Sequence, residues 1–471
     1  MTAVDLETYS PRLMASATRS GFRSRTSGRR QGDLTCPVCR RQVPPGGLAA
    51  AATLTPELAE IVQANAPGWH PRLGLCSDCV RRFRHAERQL GAVARAGGPP
   101  ILPTPLRLGA ADRFRGRGVT IAFLDSGFSA HADLVEPEDR IAAYADMTDG
   151  RRRRADLDHP DASSWHGTMT SVVACGNGRL SEGLYRGVAS EARVVLVKCG
   201  TASRITHDDL RKGLEWVVRH RERYGIRIVN VSCGGDYEAS YLEDPLSQAA
   251  ERATRDGLLV CAAAGNLGRT PGHAVLPPAS APAALTVGGL DDKNRLAFSG
   301  YEAYHSSYGP TIDGLQKPEV LAPGIWVAAP ILAGTTVAAQ AQLLFRLQVA
   351  PDGDLRPILE AFRGVDGDLD GAIGLDPVLI RKLVSAKIEA EKLISASYKH
   401  VDGTSFAAPI VSSVAAQMLE ADPRLSPQEI KRTLIATARR IAALEVDRQG
   451  WGVVDAERAV HAATSIKEGQ S

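Results

Sequence analysis

Five short apolar runs rich in β-branched residues recur along the chain: "VTIAFL" from Val119, "ARVVLVK" from Ala192, "IRIVNVS" from Ile226, "LLVCAAAG" from Leu258 and "ALTVGGL" from Ala284. They do not alternate apolar with polar, so each predicts a strand buried on both faces. Between them lie segments with helical spacing, such as "HDDLRKGLEWVVRHRERYG" from His207 to Gly225. Strands separated by helices require a mostly parallel sheet with helices on both faces, a three-layer α/β arrangement. At 471 residues with 44% apolar content, the chain can build this body and carry further units.

Residues at the carboxyl edge of a parallel sheet are where such folds gather chemistry. Three stretches fit that place. "VTIAFLDSGF" puts Asp125 directly after a strand, "SSWHGTMTSVVACG" puts His166 ahead of an apolar helical run, and "DGTSFAAP" puts Ser405 at another helix start. Each alone fits a helix cap or a surface residue. Together they supply what a nucleophilic serine needs: a base for its proton and a carboxylate to hold that base in one tautomer.

Asp, His and Ser in this chain order, with further landmarks, resemble the subtilisin-like serine proteases. The landmarks are "VNVSCGGD", "VCAAAGN", "KPEVLAPG", "LSPQEIKRTLIATA" and "GWGVVDAERAV". The resemblance covers roughly residues 117–463, less an insertion. It implies a serine endopeptidase acting on peptide or protein substrates, with Ser405 as nucleophile, His166 as base, Asp125 as its orienter and Asn266 as oxyanion donor. It further implies that backbone around Ser232, Cys233, Gly234 and Gly235 pairs with an extended substrate strand. Two other readings stand beside it: a catalytically silent scaffold of the same fold, and a zinc-dependent nucleic-acid-binding protein with an auxiliary protease core.

The eight cysteines divide in two. Cys175, Cys199, Cys233 and Cys261 sit in apolar stretches and read as small buried hydrophobes. Cys36 and Cys39 ("CPVC") with Cys76 and Cys79 ("CSDC") supply four thiolates suited to tetrahedral Zn²⁺, with a redox dithiol as the other option. The purpose expected of this module is docking a protein partner, nucleic acid being the alternative. The division expected is a disordered basic tail over 1–33, the cysteine module with a basic helix over 34–98, a linker over 99–116, the protease-like body over 117–331 and 399–463, and a tail over 464–471. The helical stretch 332–398 is too long for a plain loop and should carry its own structure. Within it, "VDGDLDGAIGLDP" approximates an EF-hand loop, with Asp366, Asp368 and Asp370 as Ca²⁺ ligands, although Pro377 stands where the last-position Glu belongs. No apolar run reaches 18 residues, so no membrane span is expected. The arginine-rich N-terminus has no apolar core of a secretory signal; the cytosol is the expected compartment, with an organelle-targeting peptide left open.

Overall fold

Alternate residues of Thr120–Asp125 (β1) point to opposite faces of the sheet. Ile121 and Phe123 enter one core and Ala122 and Leu124 the other. The same division runs through Ile141–Asp146 (β2), Arg193–Lys198 (β3), Ile226–Val231 (β4) and Leu259–Ala263 (β5), while Leu285–Asp291 (β6) gives Leu285 and Val287 to the first core only. These strands lie in the order β2-β3-β1-β4-β5-β6, all parallel. Glu302–Ala303 (β7) pairs antiparallel with the outer side of β6, and Val320–Pro323 (β8) pairs parallel with that strand. All five strands expected from sequence are present; β2, the edge strand, has a weaker apolar signal because its first three residues are only half-buried. The computed structural model describes residues 34–49, 54–66, 68–90, 101–150, 153–272, 274–298 and 300–469. The expected basic tail over 1–33 lies outside the described residues.

Helices cover both faces. Ser164–Cys175 (α1) and Thr404–Ala421 (α4) pack on one, with Pro427–Thr437 (α5) and Ala456–Gly469 (α6) joining the same core. His207–Tyr224 (α2) and Pro245–Arg255 (α3) cover the other. Their ends carry the expected signals: the Thr206 hydroxyl accepts from Asp209 N–H, and Gly225, in the left-handed region at φ 64°, closes α2.

The cysteine module has two short antiparallel strand pairs, Leu34–Thr35 with Gln42–Val43 and Leu48–Ala49 with Leu75–Cys76, and two helices, Pro56–Asn65 and Ser77–Leu90. Its core is not closed on itself: Leu58, Leu75 and Phe83 share one apolar cluster with Leu296 and Ala297 of the body. The stretch expected to be a linker holds a further anchor. In the helix Thr104–Leu108, the buried Arg107 guanidinium makes a two-pronged pair with Asp292 at 2.8 and 2.7 Å and donates to the carbonyls of Ile325 and Trp326. A charge this deeply buried is tolerable only because every face of the fork has an acceptor.

Strands Val327–Pro330 (β9) and Tyr398–Val401 (β10) form an antiparallel hairpin that carries the long insertion. Helices Thr336–Val349, Leu355–Ala361, Gly367–Gly371 and Pro377–Ala390 pack around Leu344, Leu347, Leu359, Leu369 and Ile380. The insertion thus has a small core of its own, as its length requires.

Removing the partner of a buried charge exposes its full desolvation cost. Asp292→Ala, which strands Arg107, is expected to lower stability by about 3–5 kcal/mol, measured by denaturant unfolding of the full chain.

Candidate active site

Asp125 is the last residue of β1 and fully buried. Its Oδ1 accepts from Ser126 N–H at 2.7 Å and lies 2.7 Å from His166 Nδ1; its Oδ2 accepts from the Thr170 hydroxyl at 3.2 Å. A carboxylate can only accept, so the proton of a neutral His166 sits on Nδ1 and the lone pair of Nε2 is left free. His166 is in the first turn of α1, whose start reaches the strand end because residue 167 is glycine. A Cβ there would lie 2.3 Å from Gly127 O and 2.9 Å from Asp125 Cβ. The imidazole has Trp165 edge-on at 5.1 Å and Phe406, the residue after Ser405, at 5.7 Å.

Burial disfavours the charged form of His166, but the Asp125 carboxylate, through its charge and its hydrogen bond, more than offsets this and holds the ring above its ordinary value of 6.5.

Ser405 stands in the first turn of α4, where backbone N–H groups have no intrahelical partner and the helix dipole is positive. Two ties set its position. The Ser232 hydroxyl donates to Ser405 O at 2.8 Å and accepts from Asn230 Nδ2 at 2.9 Å, while Asn230 Oδ1 accepts from Ser412 one helix face along. On the other side, Asn266 Oδ1 accepts from both Thr404 N–H and the Thr404 hydroxyl, at 3.0 and 2.9 Å. With its oxygen held twice, the Asn266 amide turns its Nδ2 donor toward the turn at Gly403.

A cleft of roughly 200 Å³ opens beside Ser405 and Asn266. Ser232, Cys233, Gly234 and Gly235 line one side of it, and Ala263, Ala264 and Leu276 contribute walls without charge. The structure therefore brings Ser405, Asn266 and the Ser232–Gly235 stretch to one opening, while His166, paired with Asp125, lies 5.7 Å from the ring of Phe406 that follows Ser405. It also refines their parts. The Ser232 hydroxyl faces the serine helix, not the cleft. Cys233 Sγ contacts Leu124 O at 3.7 Å, and burial pushes this thiol well above its ordinary range, as expected of an inert packing residue. Gly235 is required by packing behind the cleft, since a Cβ there would come within 2.2 Å of His207 Nδ1. Thr170, Thr404, Asn230 and Ser412 were not singled out in the sequence; the spacing of four between His166 and Thr170, one helical turn, was the available signal for the first of them.

An α/β sheet with a buried aspartate at a central strand end, a histidine hydrogen-bonded to it and a serine opening a buried helix defines the subtilisin-like class. The subtilase family model matches residues 116–452, and the chain belongs to that family. It is similar to the serine protease AprX of Bacillus subtilis (strain 168), 30% identical over 353 residues, which are 73% of this chain and 66% of that one. Subtilisin BL of Lederbergia lenta is 31% identical over 212 residues, 45% of this chain and 65% of its own. The chain thus spans just under two thirds of these relatives' length. In fold it is similar to fervidolysin from Fervidobacterium pennivorans, described as a keratinolytic enzyme related to subtilisin, at 20% identity and TM-score 0.51 over 76% of this chain and 45% of that one. A protease from Pseudoalteromonas arctica PAMC 21717 is similar at 24% identity and TM-score 0.50, over 80% and 97%.

The four module cysteines converge. Their sulfurs all lie within 4.8 Å of one another, with Cys36–Cys79 at 3.8 Å and Cys39–Cys76 at 3.6 Å, and all four residues are buried. These separations are too long for disulfide bonds. They match the edge of a tetrahedron of thiolates about 2.3 Å from a central ion. Four cysteines so placed can hold a metal ion. The calcium reading is corrected. Asp366 caps the helix Gly367–Gly371 through the N–H groups of Asp368 and Leu369, and Lys387 Nζ bridges Asp366 and Asp368 at 2.9 and 2.7 Å. Asp370 accepts from Gly364 N–H. A lysine sits where a cation would go, and among the described residues the only cluster of metal-ligand type is the cysteines. The pattern misled because a D-x-D-x-D run also suits a short helix cap. Among the described residues, no helix is long and apolar enough to cross a membrane.

Because Asp125 stabilises the imidazolium, the His166 ring should stay protonated to higher pH than a free histidine. Its NMR titration midpoint is expected above 6.5. In Asp125→Asn, burial acts unopposed and the midpoint should fall below the wild-type one.

Proposed function

We propose that this protein is a serine endopeptidase using Asp125, His166 and Ser405, with Asn266 in the oxyanion hole. The observation that carries the reading is the 2.7 Å contact of His166 Nδ1 with the buried Asp125, which leaves Nε2 as the ring's base. Ser405 Oγ attacks a peptide carbonyl carbon as its proton passes to His166 Nε2. The resulting oxyanion accepts hydrogen bonds from Asn266 Nδ2 and the Ser405 N–H at the positive end of α4. His166 then returns the proton to the leaving amine as the C–N bond breaks. Water enters by the same base and releases the acid. The uncharged walls of the cleft beside Ser405 favour an apolar side chain at the residue that supplies the attacked carbonyl.

The cysteine module reads as a structural zinc centre held by Cys36, Cys39, Cys76 and Cys79, a closed tetrathiolate with no open ligand position. When bound, the ion supplies cross-linking, not chemistry at Ser405. Eight cysteines with none in a disulfide suit a reducing compartment, and we place the protein in the cytosol on that ground. The module's role is docking a protein partner, and the division into cysteine module, protease body and helical insertion follows the apolar clusters.

A fluorophosphonate probe should label the wild-type protein and leave Ser405→Ala unlabelled; equal signal in the two, or none in either, would defeat the peptidase reading. Asn266→Ala is expected to lower kcat about a hundred- to thousandfold with little change in KM, the loss subtilisin shows without its oxyanion asparagine. Elemental analysis of the purified full chain should find one zinc per molecule, lost in Cys36→Ser together with a drop in Tm.

A further inference from the structure

We propose that Trp165 is a specificity-determining residue of this cleft: its indole is the wall met by the substrate residue on the amine side of the scissile bond, and it favours a large apolar side chain there. The proposal rests on the peptidase reading above and adds a preference that the reading does not contain.

Of the twelve residues of α1, only Trp165 and His166 are not buried. On α4 the residue left open at the same end is Ser405. The side chains left open at these two helix starts are thus Trp165, His166 and Ser405, and the starts are neighbours, since the ring of Phe406 lies 5.7 Å from His166. Trp165 is 50% exposed, whereas Trp69 and Trp216 are each 4% exposed in the cores that hold them. Its ring stands edge-on to the imidazole at 5.1 Å and 87°, so it shares the base's surroundings while keeping a face free. The indole N–H has no partner among the described residues. A half-exposed indole with a free face and a free donor is the kind of rigid amphipathic surface that anchors peptide contacts, because it loses little side-chain entropy on binding.

The side of the substrate follows from the chemistry. The small uncharged cleft is lined by Ser405, Asn266 and Gly234 and not by His166, and it takes the residue whose carbonyl is attacked. His166 must hand its proton to the leaving amine, so the amine-side residue sits against the imidazole and meets the aromatic ring beside it. An exposed apolar ring there is desolvated only by an apolar partner, which gives a preference where a Gly or Ser would give none.

The test compares two fluorogenic peptides that differ only in having Leu or Gly on the amine side of the scissile bond. In the wild type, kcat/KM should favour Leu. In Trp165→Ala the Leu-to-Gly ratio should fall about tenfold, the scale of losing one apolar wall, and Trp165→Phe should restore most of it. A role in folding alone would lower both peptides together and leave the ratio unchanged. A ratio within about twofold of wild type in Trp165→Ala overturns the proposal. If fluorophosphonate still labels Ser405 in that case, the peptidase reading survives and only the assignment of Trp165 fails; absence of labelling in the wild type sinks both.

Discussion

Helix α4 is the member on which the rest of the molecule depends. Sixteen of its eighteen residues are buried, and the two that are not, Ser405 and Glu420, lie near opposite ends. At one end Ser405 faces the cleft. At the other, Glu420 Oε2 accepts from the backbone N–H groups of Arg115, Gly116 and Arg117, the segment that feeds β1. One rod thus holds Ser405 and grips the chain leading to Asp125. Hydrophobic burial fixes the rod's depth, but it is non-directional and cannot fix rotation. The Asn230–Ser232–Ser412 chain and the Thr404–Asn266 pair do that, at the price of buried polar atoms that must all be satisfied.

Much of this was legible in the sequence. The five apolar runs became strands because they are short, rich in β-branched residues and apolar throughout, which suits the inside of a two-sided layer. Asp125, His166 and Ser405 were readable because each stands at a boundary between an apolar run and a turn. What was not readable is long-range. Arg107 looks like one basic residue among many in a Pro-rich stretch, and nothing local marks Asp292 as its partner 185 positions away. The division of labour within "SCGG" was hidden for the same reason: whether a serine faces a substrate or a helix is decided by α4, far along the chain. The acidic run in the insertion failed differently. Its local pattern was real, but Lys387 on the following helix answered it.

The cysteine module and the body meet through two chemically distinct contacts. Apolar residues of the module merge with Leu296 and Ala297, while Arg107, just beyond the module, is locked to Asp292 in the same turn region of the body. The apolar contact is tolerant of small shifts; the guanidinium fork is not. Together they make the module a fixture of the body's flank.

The insertion stands on two legs of unequal reach. Strand β9 leans on α1, the helix of His166, through Val327 and Ala329 in the shared core. Strand β10 ends at Val401, four residues before Ser405, and Gly403 N–H bonds to Gly324 O just ahead of the first leg. The hairpin beneath the insertion therefore touches the helix of His166 through one strand and the turn before Ser405 through the other. Two strands eight residues long in all thus join a separate small core to both ends of the candidate site.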